Sequence, residues 1–469
     1  MSIASGARAG ARWALVAVLA ANMLVDALEV SATLVALPAV GSGLGSSVTR
    51  VQWIVTGFAA GFAGSVLLGG RLVEWFGRRR VFLLALLLFA AASLGGALTD
   101  RLDLLVATRV VKGFCVALTA PTGLAIIVAS VSGREARRRA VSVYTLFGAA
   151  GFCSGLLLSG LLTGAAGWRW TLAFPAPVAL ALFAVALRVV PREPAPAGGG
   201  GARWHAVVAG GALTSAVLWL VEALARRWWG GALAAAAAAL VCVRAERASA
   251  RPLVNTALLG HGPLVRSALG AAALNGSYVS FLLVAALDLR RGGWSSWETA
   301  LGFLPAGAPL ALTALHSGRI ASRLGPARAV AAGALAAPAG YALYPRSGAG
   351  GARYVELLPS MSLVGLAFVL AFTALHLQAT GSLPSGLQAA AGGLYQTSVQ
   401  LGAALTPALT SALYAASGRS AALWLVTAVG LGGAGVALAG LAHPSTDPSR
   451  EPPELPLPPA VPTSTRKAS

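Results

Sequence analysis

The stretch from Gly70 to Arg80 reads GRLVEWFGRRR and separates two apolar segments, 51–73 and 81–99. A helix needs about 20 apolar residues to cross the hydrocarbon core of a bilayer, and each segment has roughly that length. The basic stretch is too short and too charged to continue either segment. It therefore predicts a tight turn between two membrane-spanning helices.

The same alternation of long apolar segments and short breaks extends along most of the 469 residues. The chain is 57% hydrophobic and 11% charged, with a mean hydropathy of +0.75. A soluble domain carries about 25% charged residues, so we expect an all-α membrane protein. Dividing the chain at charge clusters, prolines and glycines gives fourteen candidate spans: 13–38, 51–73, 81–99, 104–131, 140–163, 170–190, 204–224, 228–244, 265–287, 298–317, 328–345, 355–378, 388–416 and 420–442.

The distribution of basic residues predicts the orientation of the chain. With fourteen spans, 23 of the 35 basic residues lie on the side that carries both termini. Cytoplasmic loops are enriched in Lys and Arg, so we expect a multi-pass protein of the cell membrane with both termini in the cytoplasm. The net charge of +20 then reflects topology, and no nucleic-acid partner is expected. Residues 1–12 form the cytoplasmic N-terminus, and the Pro- and Ser-rich residues 443–469 are expected to be a disordered cytoplasmic tail.

Several classes of protein lack support in the sequence. Its only lysines are Lys112 and Lys467, so no nucleotide-binding phosphate loop can be written. The three cysteines and five histidines are scattered, so we expect neither a metal nor a cofactor. A membrane-embedded enzyme needs converging acids or histidines at one membrane face, and a channel needs repeated charged or carbonyl-rich rings; neither pattern occurs. We expect no enzyme, and a monomer whose partners are a small-molecule substrate, protons and the lipid bilayer.

A second stretch resembles the first one. Residues 318–328 read GRIASRLGPAR, with a Gly seven positions after the first Gly and an Arg three positions later, as in 70–80. Parallel internal repeats are typical of secondary transporters, which place the substrate site between two halves. We therefore predict six-helix halves at 13–190 and 264–442, with a linker and two inserted helices at 191–263. The alternative is that both stretches are ordinary basic loops.

The first stretch resembles the Gly-x-Leu-x-Asp-Arg-x-Gly-Arg-Arg signature of the major facilitator superfamily, and fourteen spans resemble its drug:proton antiporter branch. Glu74 stands where the family usually has Asp. Further similar segments lie at 28–38, 51–58, 109–113, 167–170 and 400–404. The resemblance implies a major facilitator fold and a proton-coupled exporter of a moderately hydrophobic molecule, such as an antibiotic. An uptake symporter or facilitator on the same fold is the alternative.

The signature stretch is the first candidate site. Glu74, Arg78 and Arg79 are expected to form a charge network at the cytoplasmic ends of two spans, as a gate whose ion pairs exist in one transport state only. Gly70 and Gly77 are expected to allow close helix approach and a short turn. The alternative is that the arginines only determine topology.

The fifth span carries Gly148, Gly151, Gly155 and Gly160 at intervals that put most of them on one face. Small residues at such spacing allow two helices to pack closely. The resemblance adds a second role, in which this face blocks a proton leak and bends during transport.

Four ionisable residues lie within predicted spans, where charges are costly and are candidates for function. Asp26 and Glu29 are three residues apart in the first span, and Arg109 and Lys112 have the same spacing in the fourth. We expect Glu29 to exchange a proton as Arg109 approaches and leaves it. The alternative is a static group of two acids and two bases that neutralise one another.

Overall fold

The described part of each predicted apolar span is largely helical in the computed structural model, which describes residues 2–192, 203–226, 228–249, 252–313, 323, 326–344, 354–381 and 383–442. The predicted tail and most of the second basic stretch, 318–328, lie outside these residues. The first part of the chain forms eight helices: α1 (Ser2–Gly43), α2 (Val48–Val51), α3 (Trp53–Phe76), α4 (Arg78–Leu98), α5 (Leu102–Ser130), α6 (Arg134–Ala166), α7 (Trp168–Ala173) and α8 (Pro175–Val189).

The rest of the described chain is also helical. After a short 3₁₀ turn at Thr256–Gly260, the helices continue to residue 442. They are α9 (Arg203–Arg226), α10 (Trp229–Ala248), α11 (Gly262–Arg291), α12 (Ser296–Thr313), α13 (Pro326–Leu343), α14 (Tyr354–Gly381) and α15 (Ser385–Ala442). Eleven helices in the described ranges are long and apolar enough to cross a membrane.

Two glycines with positive φ angles explain how consecutive helices reverse direction. Gly77 joins α3 to α4 with φ 81°, and Gly418 interrupts the 58-residue α15 with φ 80°. Residues with a side chain rarely adopt this region, whereas Gly adopts it readily. The turn predicted within the signature stretch is therefore present, and α15 consists of two arms that meet at Gly418.

The helices pack as two groups and a hairpin. Helices α1–α8 form one group and α11–α15 form the other, with α3 against α15 and α6 against α12 as the main contacts between them. The α9–α10 hairpin packs on α3, and α9 also touches α15. We call the end of the bundle where α1 begins the first face and the end where α1 stops the second face.

Candidate functional site

The four ionisable residues predicted within the spans are all buried in the first helix group. Asp26 and Glu29 lie near the middle of α1, and Arg109 and Lys112 lie on α5. None is more than 3% exposed. Charges buried this deeply are stable only when oppositely charged or hydrogen-bonding groups surround them.

Glu29 is the centre of this arrangement because it contacts both bases. One carboxylate oxygen, Oε1, accepts a very short hydrogen bond from Nη1 of Arg109. The other, Oε2, lies 2.6 Å from Nζ of Lys112. A single acid from α1 thus links two cations that are one turn apart on α5. We call Glu29, Arg109 and Lys112 the charge triad.

Asp26 is part of a different set of contacts. Its Oδ2 accepts hydrogen bonds of 2.8 Å from Nδ2 of Asn22 and from Oγ1 of Thr119. Its hydrogen-bond donors are thus neutral, whereas those of Glu29 are charged. The arrangement differs from the four mutually paired charges of the alternative interpretation, because Thr119 and Asn22 satisfy Asp26 locally.

Helix α3 supplies further partners for the triad. Nε of Arg109 donates to the backbone oxygen of Ile54 at 3.2 Å, and the guanidinium lies 4.8 Å from the ring centre of Phe58. Nζ of Lys112 lies 4.8 Å from the ring centre of Phe89 on α4. Aromatic faces attract cations, and this attraction increases when water is excluded. The triad therefore connects α1, α3, α4 and α5.

Two glycines bring α3 and α5 close enough for the backbone contact of Arg109. A Cβ atom at Gly61 would lie 2.2 Å from the oxygen of Val110, and one at Gly113 would lie 2.0 Å from the oxygen of Phe58. No side chain fits at such distances. The spacing of α3 and α5, and with it the position of the triad, depends on these two positions having no side chain.

The net charge of the triad depends on whether Glu29 carries a proton. With Glu29 ionised, one negative charge lies between two positive charges. With Glu29 protonated, the two cations would face each other without a counter-charge in a medium of low dielectric constant. Protonation of Glu29 would therefore favour separation of α1 from α5. This is the chemistry that a proton-driven conformational change requires.

The glycine face of α6 packs mainly against α1. A Cβ atom at Gly151 would lie 2.3 Å from the oxygen of Leu24, and one at Gly155 would lie 2.6 Å from the oxygen of Leu28. One at Gly148 would lie 2.9 Å from the methyl carbon of Met23. These glycines fix the face of α1 opposite the triad.

Gly160 has a different neighbour from the other three glycines. A Cβ atom there would lie 2.5 Å from Cβ of Ala300 and 2.9 Å from the oxygen of Ser296, both on α12. Its contact is therefore with the second helix group, near the second face. The glycine face of α6 thus packs against α1 along most of its length and against the other group at its end.

The signature stretch forms a turn at the first face. Its ion pairing involves Arg71, which was not part of the expected network. Nη1 of Arg71 lies 2.9 Å from Oε2 of Glu74. Nη2 of Arg71 donates to the oxygen of Pro252 at 3.2 Å, and Nη2 of Arg79 donates to the oxygen of Leu187 at 2.7 Å. The stretch thus contacts both the end of α8 and the segment before α11. Arg78, the third residue of the expected network, adjoins Gly77 at the start of α4.

Gly70 makes no close helix contact among the described residues. Gly70 is exposed, and a Cβ atom there would meet no described atom within 4 Å. It lies one turn beyond Val66 and Leu67, which approach Gly393 of α15, so it follows the face of α3 that is turned to the other helix group. Gly77 has the backbone conformation expected of the turn, so only one of the two glycines in the stretch has a structural requirement for its type.

The sequence analysis missed a buried ion pair in the second helix group. Nε of Arg419, just after the break at Gly418, lies 2.9 Å from Oδ2 of Asp288 on α11. The hydroxyl of Tyr344 donates to the same oxygen at 3.2 Å. Asp288 lies near the end of a long helix, and Arg419 lies 131 residues later in the chain. No local sequence pattern links the two residues.

An open cavity of about 290 Å³ lies between the two groups at the second face. Its lining includes Leu37 and Ser42 of α1 together with Leu287, Arg290 and Arg291 of α11. Among the described residues, no three His, Cys, Asp or Glu side chains are grouped closely enough to hold a metal ion. The buried charges described above therefore interact with one another and with neutral side chains.

Comparison with known proteins identifies the family. The sequence model of the Major Facilitator Superfamily matches residues 19–407. The chain is 33% identical to a puromycin resistance protein of Streptomyces alboniger, over 85% of this chain and 80% of that protein. It is 31% identical to a lincomycin resistance protein of Streptomyces lincolnensis, over 85% and 83%.

A solved transporter structure has the same fold. The crystal structure of the human organic anion transporter TETRAN superimposes with a TM-score of 0.62 at 18% identity, covering 91% of this chain and 99% of the other. At this identity the match establishes the fold alone. Because the family model matches residues 19–407, the chain belongs to the Major Facilitator Superfamily of membrane transporters.

Proposed function

We propose that this protein is a proton-coupled exporter of a small, moderately hydrophobic molecule, such as an antibiotic or another natural product. Relatives that align over most of both chains are named for resistance to puromycin and lincomycin. A shorter match, 36% identical over 177 residues, is to a cephamycin export protein of Amycolatopsis lactamdurans. An exporter explains why such proteins confer resistance.

The observation that carries the proposal of proton coupling is the contact of one buried carboxylate with two bases. Glu29 contacts Arg109 and Lys112, and all three are at most 2% exposed. An ion pair that served stability alone would gain little, since desolvation offsets most of the Coulomb attraction. Exchange of a proton at Glu29 would turn this cost into a way of moving α1 relative to α5.

We also propose a fourteen-helix architecture with two six-helix halves, 13–190 and 264–442. Eleven helices meet the length and hydropathy requirement, and α12 and α13 add two of 18 residues each. The candidate span of 54 residues in α15, Gly386–Ala439, would extend about 80 Å as one helix, far more than a bilayer core of about 30 Å. The break at Gly418 supports two crossings instead.

Residues 191–263 then hold the linker and the two inserted helices, α9 and α10. The excess of arginine on the first face supports cytoplasmic termini, with 1–12 and 443–469 on that side. Both proposed halves lie in a single chain, which supports a monomer. In this arrangement, the signature stretch with Glu74, Arg78 and Arg79 lies at the cytoplasmic face.

The signature stretch is proposed to act as a gate that includes Arg71. Its bond to Pro252 ties the turn between α3 and α4 to the segment that leads into the C-terminal half. A rearrangement of the halves would change this distance, so the contact is suited to one state. The glycines at 148, 151 and 155 would hold α6 against α1 while α1 responds to protonation of Glu29.

The experiment is expression in a drug-sensitive bacterial host, with a panel of antibiotics and fluorescent dyes. We expect raised resistance to some compounds and energy-dependent efflux that a protonophore abolishes. Everted membrane vesicles provide the directional control, because an exporter accumulates its substrate in them when a proton gradient is imposed. Efflux that continues after collapse of the gradient contradicts proton coupling, and accumulation only in right-side-out vesicles indicates uptake.

A further inference from the structure

The open cavity at the second face has no part in the mechanism above. It lies where the end of α1 and the short helix α2 meet the end of α11, so both helix groups contribute to its wall. Its volume is about 290 Å³. Ligand pockets commonly have about 300–1,000 Å³, so the cavity has room for a small molecule only. We call it the second-face cavity.

The charged part of the wall comes from two adjacent arginines of α11. Arg290 and Arg291 both line the cavity, and both are exposed. Nη1 of Arg290 donates to the oxygen of Trp294 at 3.0 Å. The guanidinium of Arg291 lies 4.8 Å from the ring centre of Tyr414. These contacts involve neutral groups, so they leave both positive charges without compensation.

The acids in this region have other partners. Asp288, one turn before Arg291 on α11, is paired with Arg419. Oε2 of Glu298 accepts a backbone N–H at the start of α12. Within the described part of the chain, neither Arg290 nor Arg291 forms an ion pair with any acid. The wall of the second-face cavity is therefore positively charged.

Topology does not explain two arginines at this end of the molecule. In the proposed orientation the second face is extracellular, and the excess of Lys and Arg in membrane proteins lies in cytoplasmic loops. A guanidinium presents several N–H donors in one plane and binds a carboxylate or a phosphate through two parallel hydrogen bonds. Two such groups at a cavity are suited to an anion with several oxygens.

Most of the remaining wall is apolar and belongs to both helix groups. Leu37 and Val51 of the N-terminal group and Leu287 of the C-terminal group line the cavity. Val48 of α2 also lines it, and both Val48 and Leu287 pack against the apolar cluster around Val284 of α11. The cavity thus combines a positive part with an apolar part, and packing between the groups holds it in shape.

We propose that the second-face cavity binds a small oxyanion that carries an apolar group, such as an alkyl phosphate or an alkyl carboxylate. Arg290 and Arg291 bind the oxygens, and the apolar wall contacts the alkyl group. The same chemistry occurs in soluble amphiphiles and in the head groups of anionic lipids. Binding of this kind requires neither a proton gradient nor transport.

The position of the cavity relates its occupancy to transport. Helices α1 and α2 belong to the N-terminal half and α11 to the C-terminal half, so the bound oxyanion contacts both halves at once. An exporter releases its substrate by separating the halves at the extracellular face. A ligand with higher affinity for the closed arrangement favours that arrangement. We therefore expect an external oxyanion to slow efflux.

The test is calorimetric titration of the purified full-length protein with hexyl phosphate in a non-ionic detergent. Hexanol and hexylammonium are the neutral and cationic controls, and methyl phosphate lacks the long alkyl group. The key variants are Arg290→Gln and Arg291→Gln, each of which removes one guanidinium. Arg101→Gln is the matched control, because it removes an exposed arginine just before α5, at the same face but outside the cavity.

We expect Arg290→Gln and Arg291→Gln each to weaken binding of hexyl phosphate about tenfold, the effect of losing one charge-assisted contact. Arg101→Gln should bind as the wild type does. Methyl phosphate should bind at least about tenfold more weakly than hexyl phosphate, because its apolar group is smaller. Absence of saturable binding to the wild type, unchanged affinity in both cavity variants, or equal binding of hexanol and hexyl phosphate overturns the inference.

A second set of titrations identifies the source of the oxyanion. The protein is placed in phosphatidylcholine nanodiscs with or without phosphatidylglycerol. Weaker binding of hexyl phosphate in the discs with phosphatidylglycerol identifies an anionic lipid head group as a ligand of the cavity. Equal binding in the two kinds of disc identifies a soluble amphiphile. The substituted arginines are exposed, so the variants are expected to fold, and their melting temperatures are compared with that of the wild type.

The effect on transport is measured separately from binding. Hexyl phosphate added outside cells should slow dye efflux by the wild type but not by the double variant Arg290→Gln, Arg291→Gln. Equal slowing of both proteins contradicts the role of the cavity in holding the extracellular face closed. Because the titrations need no gradient, they test the binding site even if the protein is not a proton-coupled exporter.

Discussion

The two helix groups fill their interiors with different chemistry. The N-terminal group buries a charge triad at mid-depth, with Glu29 between Arg109 and Lys112. The C-terminal group has rings at the corresponding depth, including Tyr278 and Phe368. Its buried ion pair, Asp288 with Arg419, lies near the second face instead.

This difference indicates that the two groups respond to different changes. Ionisable groups at the centre of one group can respond to protons, whereas the uncharged rings at the centre of the other pack against one another. The close contact of α6 with both α1 and α12 links the two groups. A shift of α1 therefore changes the contact between the groups.

The largest expected effect is that of Glu29→Gln. Removing the one acid of the triad leaves Arg109 and Lys112 without a counter-charge, which costs about 3–5 kcal/mol of stability when a buried pair is broken. We expect gradient-driven efflux to be lost and the melting temperature to fall. The measurements are dye efflux at matched expression and thermal unfolding of the purified protein.

Two further variants separate the effect on stability from the effect on transport. Glu29→Gln combined with Lys112→Met removes one of the unpaired cations, so it should regain much of the stability while transport stays absent. Glu135→Gln alters an exposed acid on α6 that contacts Arg138 and Arg139, and it should pump normally. Normal, pH-dependent efflux by Glu29→Gln would mean that the triad is structural.

The next effect in size is that of Gly151→Ala, which disturbs the N-terminal group without removing a charge. The added methyl group would lie 2.3 Å from the oxygen of Leu24, so α1 must shift away from α6. Such overpacking costs about 1–3 kcal/mol. Gly164→Ala on the same helix is the control, because no described atom lies within 4 Å of its new Cβ. Equal melting temperatures of the two variants would contradict the close packing of α6 on α1.

The smallest expected effect is that of Asp288→Asn in the C-terminal group. The amide can still accept a hydrogen bond from Tyr344, but it loses the ion pair to the partly exposed Arg419. We expect a loss of about 1 kcal/mol in stability and an unchanged pH profile of efflux. A shifted pH profile would assign a proton site to the C-terminal group and remove the contrast between the halves.

The sequence predicts the helices well because long apolar segments have few alternatives in a membrane. Charges within a span also stand out, so Glu29, Arg109 and Lys112 are found from their type and position alone. The spacing of glycines on α6 predicts close packing in the same way. In each case the signal is local in the chain.

The details that sequence analysis misses depend on distant partners. Arg71 donates to the oxygen of Pro252, 181 residues later, so its part in the contacts of the signature stretch is not visible locally. Asp26 is satisfied by Thr119, which no spacing rule selects. The ring contacts of Tyr278 with Phe152 and Phe368 join α11 to α6 and α14, so they exist only in the folded bundle. Gly70 matches the first glycine of the family signature, but a Cβ atom there would have no close neighbour among the described residues.

The central claim is that proton exchange at Glu29 drives efflux. The most direct measurement is the movement of protons that accompanies dye transport in proteoliposomes, followed with a pH indicator inside them. We expect the wild type to move protons against the dye and to be driven by an imposed pH gradient, and Glu29→Gln to move dye only down its own gradient, with no proton movement. Proton movement by Glu29→Gln equal to that of the wild type would contradict the account.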